Sequence, residues 1–335
     1  MKRTVKTAAL ISAAILLIGI LLCGIAVLSA PGGFRDVWNW LNTPVYLQKD
    51  ENGVWKIEGE RDRNLYDREY TAESSVLKLE AEGVDEDIVL IPSETRETVQ
   101  VSYTEGDGVS YTVTESDGCL KIVRKGGGIQ MGIDFTVHDS RAIRIEYPAD
   151  GSLKDVRLTS VSGDMQIQTD KKAETLAVQT TSGNVCIQTA GKLESLTVDT
   201  TSGDIDLQSV EAGAVTMNGI SMEVKGSLIC DTLAYSATSG EAELSLTADK
   251  AEFTAVSTDF ELFLSDSIDD YAIVCDGVSS DFSLNGETFD ESHEQNTYIF
   301  LNGHAVKARE GEAEKAPHLF SFDLTSGDVE LKTGE

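Results

Sequence analysis

The sequence predicts an all-β fold: a single-chain β-solenoid of the parallel β-helix type. It reads as about eight rungs of about 20 residues, with an N-terminal β-strand cap region and one N-terminal transmembrane helix. Three observations predict it. Thr-Ser-Gly-Asp occurs at Thr201-Ser202-Gly203-Asp204 and again at Thr325-Ser326-Gly327-Asp328. Variants stand at Val161-Ser162-Gly163-Asp164, Thr181-Ser182-Gly183-Asn184 and Thr238-Ser239-Gly240-Glu241. Gly163, Gly183 and Gly203 are 20 residues apart, and the segments around them alternate apolar and polar residues.

Each rung follows from that pattern. In Leu196 to Gln208, Leu196, Val198 and Thr200 alternate with Thr197 and Asp199, the period of a strand with one buried face. Ser202-Gly203-Asp204 interrupts it with turn chemistry, and Ile205 and Leu207 resume the alternation. The same template places Val156, Leu158, Met165 and Ile167 inward in one rung, and Leu176, Val178, Val185 and Ile187 in the next. Degenerate corners follow at Ser221-Met222-Glu223, Ser257-Thr258-Asp259 and Ser279-Ser280-Asp281. The inward residues become aromatic toward the C-terminus, with Phe253, Phe260, Phe282, Phe320 and Phe322. The corner glycines Gly163, Gly183, Gly203, Gly240 and Gly327 are structural. The stretch 285–317 is longer than a rung and reads as an insertion, with Phe320 to Leu331 as the last rung.

The organisation before the repeats is read in three parts. Residues 1–30 hold Lys2, Arg3 and Lys6 and then an uncharged apolar run from Thr7 to Ala30, long enough to span a bilayer. The leading basic residues keep the N-terminus cytoplasmic and place the bulk outside the membrane. The rival reading is a signal peptide cleaved after Leu28-Ser29-Ala30, giving a secreted protein. Residues 31–75 form a juxtamembrane spacer with Trp38 and Trp40, and 76–150 a strand-rich cap region ahead of the repeats at 151–335.

Charge narrows the function. The formal net charge is −30; since the first 30 residues contribute +3, the remainder carries −33. That excludes nucleic acid as a partner, because a basic footprint is needed there. It favours cations or basic partners. Stacking would align Asp164, Asp204, Glu241, Asp259, Asp281 and Asp328 in a ladder, with Asn184 and Glu223 between them. Carboxylates about 5 Å apart repel, and Ca²⁺ would relieve that. The alternative is that these are solvated corner residues capping backbone amides.

Catalytic signals are missing. His138, His293, His304 and His318 sit in no recognised motif, and no Gly-x-Ser-x-Gly elbow, HExxH or phosphate loop occurs. No catalytic residue and no cofactor is assigned. Cys119, Cys186, Cys230 and Cys275 have no CxxC or zinc spacing and read as free thiols, although an oxidising exterior permits disulfides.

An apolar N-terminal run, then Val76-Leu77-Lys78-Leu79 and Asp87-Ile88-Val89-Leu90-Ile91-Pro92, then iterated Thr-Thr-Ser-Gly-Asp-Ile resembles a known bacterial family. Its members are membrane-anchored proteins named as adhesins, common in Firmicutes and without an assigned activity. One is encoded with a two-component system for antibiotic stress at the cell envelope. The resemblance covers about residues 71 to 335 and implies a β-solenoid; the family has no agreed catalytic residues to carry over. Met222, Thr258 and Ser280 depart from its glycine corner. The expected function is a non-enzymatic, anchored module contacting an envelope polymer or a surface or membrane protein. The alternatives are a scaffold in envelope-stress regulation acting through a membrane partner, and a polysaccharide-active β-helix enzyme.

Overall fold

The computed structural model describes residues 46–49, 55–58, 65–106, 108–126, 141–149, 153–291 and 294–333. The expected anchor at Thr7 to Ala30, Trp38, Trp40, His138 and His293 lie outside the described residues. Among the described residues no helix is long and apolar enough to cross a membrane. The chain divides into two units. In the first, Tyr46–Lys49 pairs antiparallel with Trp55–Glu58. The second, Leu65–Lys125 with Ser140–Glu335, holds the repeats.

The second unit is all-β and solenoid-like, built by parallel, in-register stacking. Asp155–Thr159 pairs with Thr175–Thr180, which pairs with the 195–200 strand, so Leu158, Val178 and Val198 share one column. Met165–Thr169 pairs likewise with Val185–Thr189 and the 205–207 strand, aligning Ile167, Ile187 and Leu207. All six are essentially inaccessible to water. Period-two alternation sends every second side chain to one face, and a one-residue slip would expose the whole set, so the pattern pins the register. The segment Leu193–Leu264 is one unbroken run of β-structure through four rungs and their corners.

Stack order departs from chain order at both ends. Cys119–Gly126 and Ala142–Pro148 pair outside Lys78–Glu82 and Asp87–Ser93, and these pair with the 155–169 rung. At the other end the 318–333 rung lies between 250–264 and 271–284. The order is therefore 119–148, 78–93, 155–169, 175–189, 195–207, 215–224, 233–246, 250–264, 318–333 and 271–284. These ten levels exceed the eight expected, because strands before residue 150 join the stack. Phe320 to Leu331, the last rung in the chain, is not the outermost level of the stack. Its Phe320 and Phe322 need cover on both sides, which only an inner level supplies.

Both ends are closed by antiparallel strands. Gln100–Glu105 covers Ala142–Pro148, with Tyr66–Thr71 beyond it. Within 285–317, Glu287–Asp290 covers Phe282–Leu284, Asn296–Leu301 covers Tyr271–Ser279, and His304–Lys307 follows. An open parallel rung is a template for further pairing, and the change of direction interrupts that template.

The core also changes along the stack. Val, Ile and Leu fill the 155–207 rungs, whereas Tyr235, Phe253, Phe260, Phe320 and Phe322 form an aromatic cluster farther on. Each aromatic pair adds about 0.5–1.5 kcal/mol beyond the area it buries.

Candidate functional site

The Ser-Gly-Asp corners stack into one continuous ridge with nine described levels. In stack order their apex residues are Glu86, Gly163, Gly183, Gly203, Met222, Gly240, Thr258, Gly327 and Ser280. Close backbone approach explains the glycines. A Cβ on Gly183 would lie 2.0 Å from the Gly163 carbonyl oxygen, and one on Gly240 would lie 1.9 Å from that of Met222. Gly240 also has φ 143°, which other residues rarely adopt. Where the apex is not glycine, the side chain is buried instead, as Met222, Thr258 and Ser280 are.

One residue before each apex stands a serine in every level but the first: Ser162, Ser182, Ser202, Ser221, Ser239, Ser257, Ser326 and Ser279. Their hydroxyls tie levels together. Ser162 donates to the Val84 carbonyl at 3.2 Å, Ser182 to Val161 at 3.3 Å, Ser239 to Ile220 at 3.3 Å and Ser326 to Val256 at 3.2 Å. These serines are rung-to-rung fasteners. Of the histidines, His304 is exposed, and His318 stacks on Tyr271 with Nδ1 2.8 Å from the Ala248 carbonyl.

One residue after each apex stands the acid column: Asp87, Asp164, Asn184, Asp204, Glu223, Glu241, Asp259, Asp328 and Asp281. The six acids singled out from the sequence are thus brought into line, and the column carries two hydrogen-bonded staircases, one from Asp87 to Asp204 and one from Asp259 to Asp281. The amide of Asp164 donates to Asp87 Oδ1 (3.0 Å) and that of Asn184 to Asp164 Oδ1 (2.8 Å). Asp204 donates to Asn184 Oδ1 (3.1 Å), Asp328 to Asp259 Oδ1 (3.0 Å) and Asp281 to Asp328 Oδ1 (3.2 Å). These oxygens satisfy backbone donors. Among the described residues no three His, Cys, Asp or Glu side chains converge as a metal centre requires. Neighbouring carboxylates a rung apart repel by about 1 kcal/mol in bulk water.

Two residues before each apex runs a column that the sequence reading did not single out: Val84, Val161, Thr181, Thr201, Ile220, Thr238, Val256, Thr325 and Val278. Every member is β-branched and exposed, the five Val and Ile from 42% at Val84 to 69% at Val278. β-branched side chains suit an extended backbone, but burial does not explain these. The signal was present in the sequence, since the residue two before each corner is always Val, Ile or Thr.

The first level was also missed, because Val84-Asp85-Glu86-Asp87 lacks the glycine. Glu86 is fully buried at the apex, its Oε1 3.1 Å from Arg124 Nε, and Arg124 also reaches Asp85 at 2.6 Å. Burial opposes the charge of Glu86. The Val84 amide, the Tyr111 hydroxyl and Arg124 outweigh it and hold the carboxyl below its usual range. Tyr111 is pushed up by burial and by Glu86.

Beside the acid column lies a shallow groove of about 440 Å³, lined by Asp164, Asn184, Asp204, Asp206, Lys225 and Cys186 among others. Burial raises the Cys186 thiol and raises Cys230 to about 12, so neither is an activated nucleophile. Cys119, Cys186, Cys230 and Cys275 are all free.

No curated protein matches the chain. Several solved structures are similar. A "putative adhesin" from Bacteroides fragilis is 15% identical with a TM-score of 0.40, covering 81% of this chain and 97% of its own. One of the same description from Parabacteroides distasonis is 13% identical with a TM-score of 0.45, covering 81% and 98%. A "putative lipid binding protein" from the same species is 15% identical with a TM-score of 0.42, covering 81% and 97%. The sequence pattern described as Toastrack DUF4097 matches residues 76–332, all ten levels of the stack, and the chain belongs to that family.

Proposed function

We propose that this protein is a non-catalytic binding module of the cell envelope, anchored by its N-terminal segment and displayed outside the membrane as an adhesin-type protein. The observation that carries the reading is the corner ridge. Nine levels repeat an exposed Val, Ile or Thr two before the apex and, at all but Asn184, an acid one after it, and four of the eight serines that would tempt an enzymatic reading are engaged in rung-to-rung bonds. A repeated external surface on a rigid rack is suited to binding along its length.

The test is binding of the full-length protein to isolated envelope fractions, wall and membrane separately. The triple variant Val161→Lys, Ile220→Lys, Val256→Lys serves as the comparison, since all three side chains are solvent-facing. Binding that falls at least tenfold in the variant supports the ridge as the contact surface. Binding by the variant equal to that of the unaltered protein overturns the reading.

A further inference from the structure

The ridge presents two stripes flanking the serine and apex columns, one of exposed Val, Ile and Thr and one acidic. Several acids elsewhere are neutralised: Glu80 and Glu82 by Lys121, Glu146 by Arg96 and Arg144, Glu174 by Lys154, Asp231 by Lys192, and Glu261 by Lys332. Among the described residues, none of the eight ridge acids (Asp87, Asp164, Asp204, Glu223, Glu241, Asp259, Asp328, Asp281) is in an ion pair with Lys or Arg.

We propose that the ridge is the docking surface for a cationic amphipathic segment of a protein partner. The proposal rests on the binding-module reading and names its ligand class. The segment lies along the solenoid axis in extended form, its backbone over the serine and apex columns. Successive side chains alternate to the two sides, apolar ones onto Val84, Val161, Ile220, Val256 and Val278, and Lys or Arg onto the acids. Nine levels at about 4.8 Å span roughly 38 Å, which accommodates about a dozen residues of extended chain. Both stripes run the length of the ridge, the outer one Val or Ile at five levels and Thr at four, the acidic one broken only at Asn184, so no single register is required. The apolar stripe contributes burial and the acids contribute complementarity and steering.

Other occupants fit less well. A second copy placed ridge to ridge would bring two acid columns together. Anionic polymers and anionic lipid surfaces meet the same repulsion. Simple cations lack a converging set of ligands.

The experiment uses the full-length protein in detergent and three synthetic dodecapeptides, (Lys-Val)6, (Lys-Ser)6 and (Glu-Val)6, with affinities measured calorimetrically at two salt concentrations. The expected result is (Lys-Val)6 binding at least tenfold tighter than (Lys-Ser)6, no binding of (Glu-Val)6, and weakening at higher salt. Two variants assign the stripes. Val161→Ser, Ile220→Ser, Val256→Ser should abolish the difference between the two Lys peptides. Asp164→Asn, Asp204→Asn, Asp259→Asn should weaken both at least tenfold while keeping the staircase acceptors, as Asn184 does naturally. Thermal unfolding of each variant checks that it is folded. Equal binding of (Lys-Val)6 and (Lys-Ser)6, or unchanged binding by the Asn variant, overturns the proposal. If no peptide binds but both variants lose envelope binding, the ligand class falls and the module reading stands. If envelope binding is also unchanged, both fall.

Discussion

Phe322 stacks on Phe253 at 4.6 Å between ring centroids, with 6° between the ring planes. Phe253 belongs to the continuous run of rungs, and Phe322 to the C-terminal rung inserted beside it. The contact joins the last strands of the chain to the middle of the stack.

Replacing Phe322 by Ala should therefore cost more than a substitution near a frayed terminus. The expected loss is about 3–5 kcal/mol, the range for a fully buried Phe. Urea unfolding followed by circular dichroism measures it. A loss below 1 kcal/mol would mean that the inserted rung contributes little to the stack.

Gly183→Ala should destabilise by about 2 kcal/mol or more, because the new methyl meets the Gly163 carbonyl, which is backbone and cannot rotate away. Gly303→Ala is the comparison. Unlike Gly183 it has positive φ, and nothing lies within 4 Å of the added methyl, so only the conformational cost of about 1 kcal/mol applies. Paired thermal melts should rank Gly183→Ala as the more damaging.

Asp164→Asn should leave stability unchanged or slightly raised. The Asn oxygen still accepts the Asn184 amide, and one repelling charge is removed. Asp164→Ala removes the acceptor and should cost about 1 kcal/mol. A melt in which the Asn variant loses as much as the Ala variant would show that charge, not the acceptor, is what the corner requires.

The Glu86–Arg124 pair sets a pH dependence. The folded carboxyl titrates below its unfolded value of about 4.3, so its contribution is fully present above that value and is lost as pH falls through the depressed folded value. Glu86→Gln leaves Arg124 nearly buried with only Asp85 as a charged partner, at a cost on the order of 3 kcal/mol near neutrality. Unfolding at pH 7 and at successively lower pH should show the gap between native and variant narrowing only below about pH 4. A gap independent of pH would remove the ion pair as its cause.

Much of the site was legible from local pattern. The alternation named the inward residues of each rung, and Leu158, Ile167, Val178, Ile205 and Phe322 are buried as read. The repeated tetrapeptide named the corners and the line of acids. The level at Glu86 escaped because glycine was the marker, and there a buried ion pair does what a glycine does elsewhere. The outer β-branched stripe escaped because each Val, Ile or Thr beside a turn carries no signal alone, and the signal lies only in its recurrence at every corner. Only stacking turns Val161, Ile220, Val256 and Val278 into one surface.

Period-two alternation and turn residues act over a few bonds, so the chain's own pattern dictates strand, corner and inward face. Position in the stack is a different quantity. Strands of similar apolar character can pair with many neighbours, and the choice is made by packing between residues far apart in the chain. That packing places the 78–93 rung inside 119–148 and the 318–333 rung inside 271–284. It also sets corner amides against the side-chain oxygen of the neighbouring level, so the line of acids is legible in the repeat but its hydrogen-bonded staircases belong to the tertiary structure.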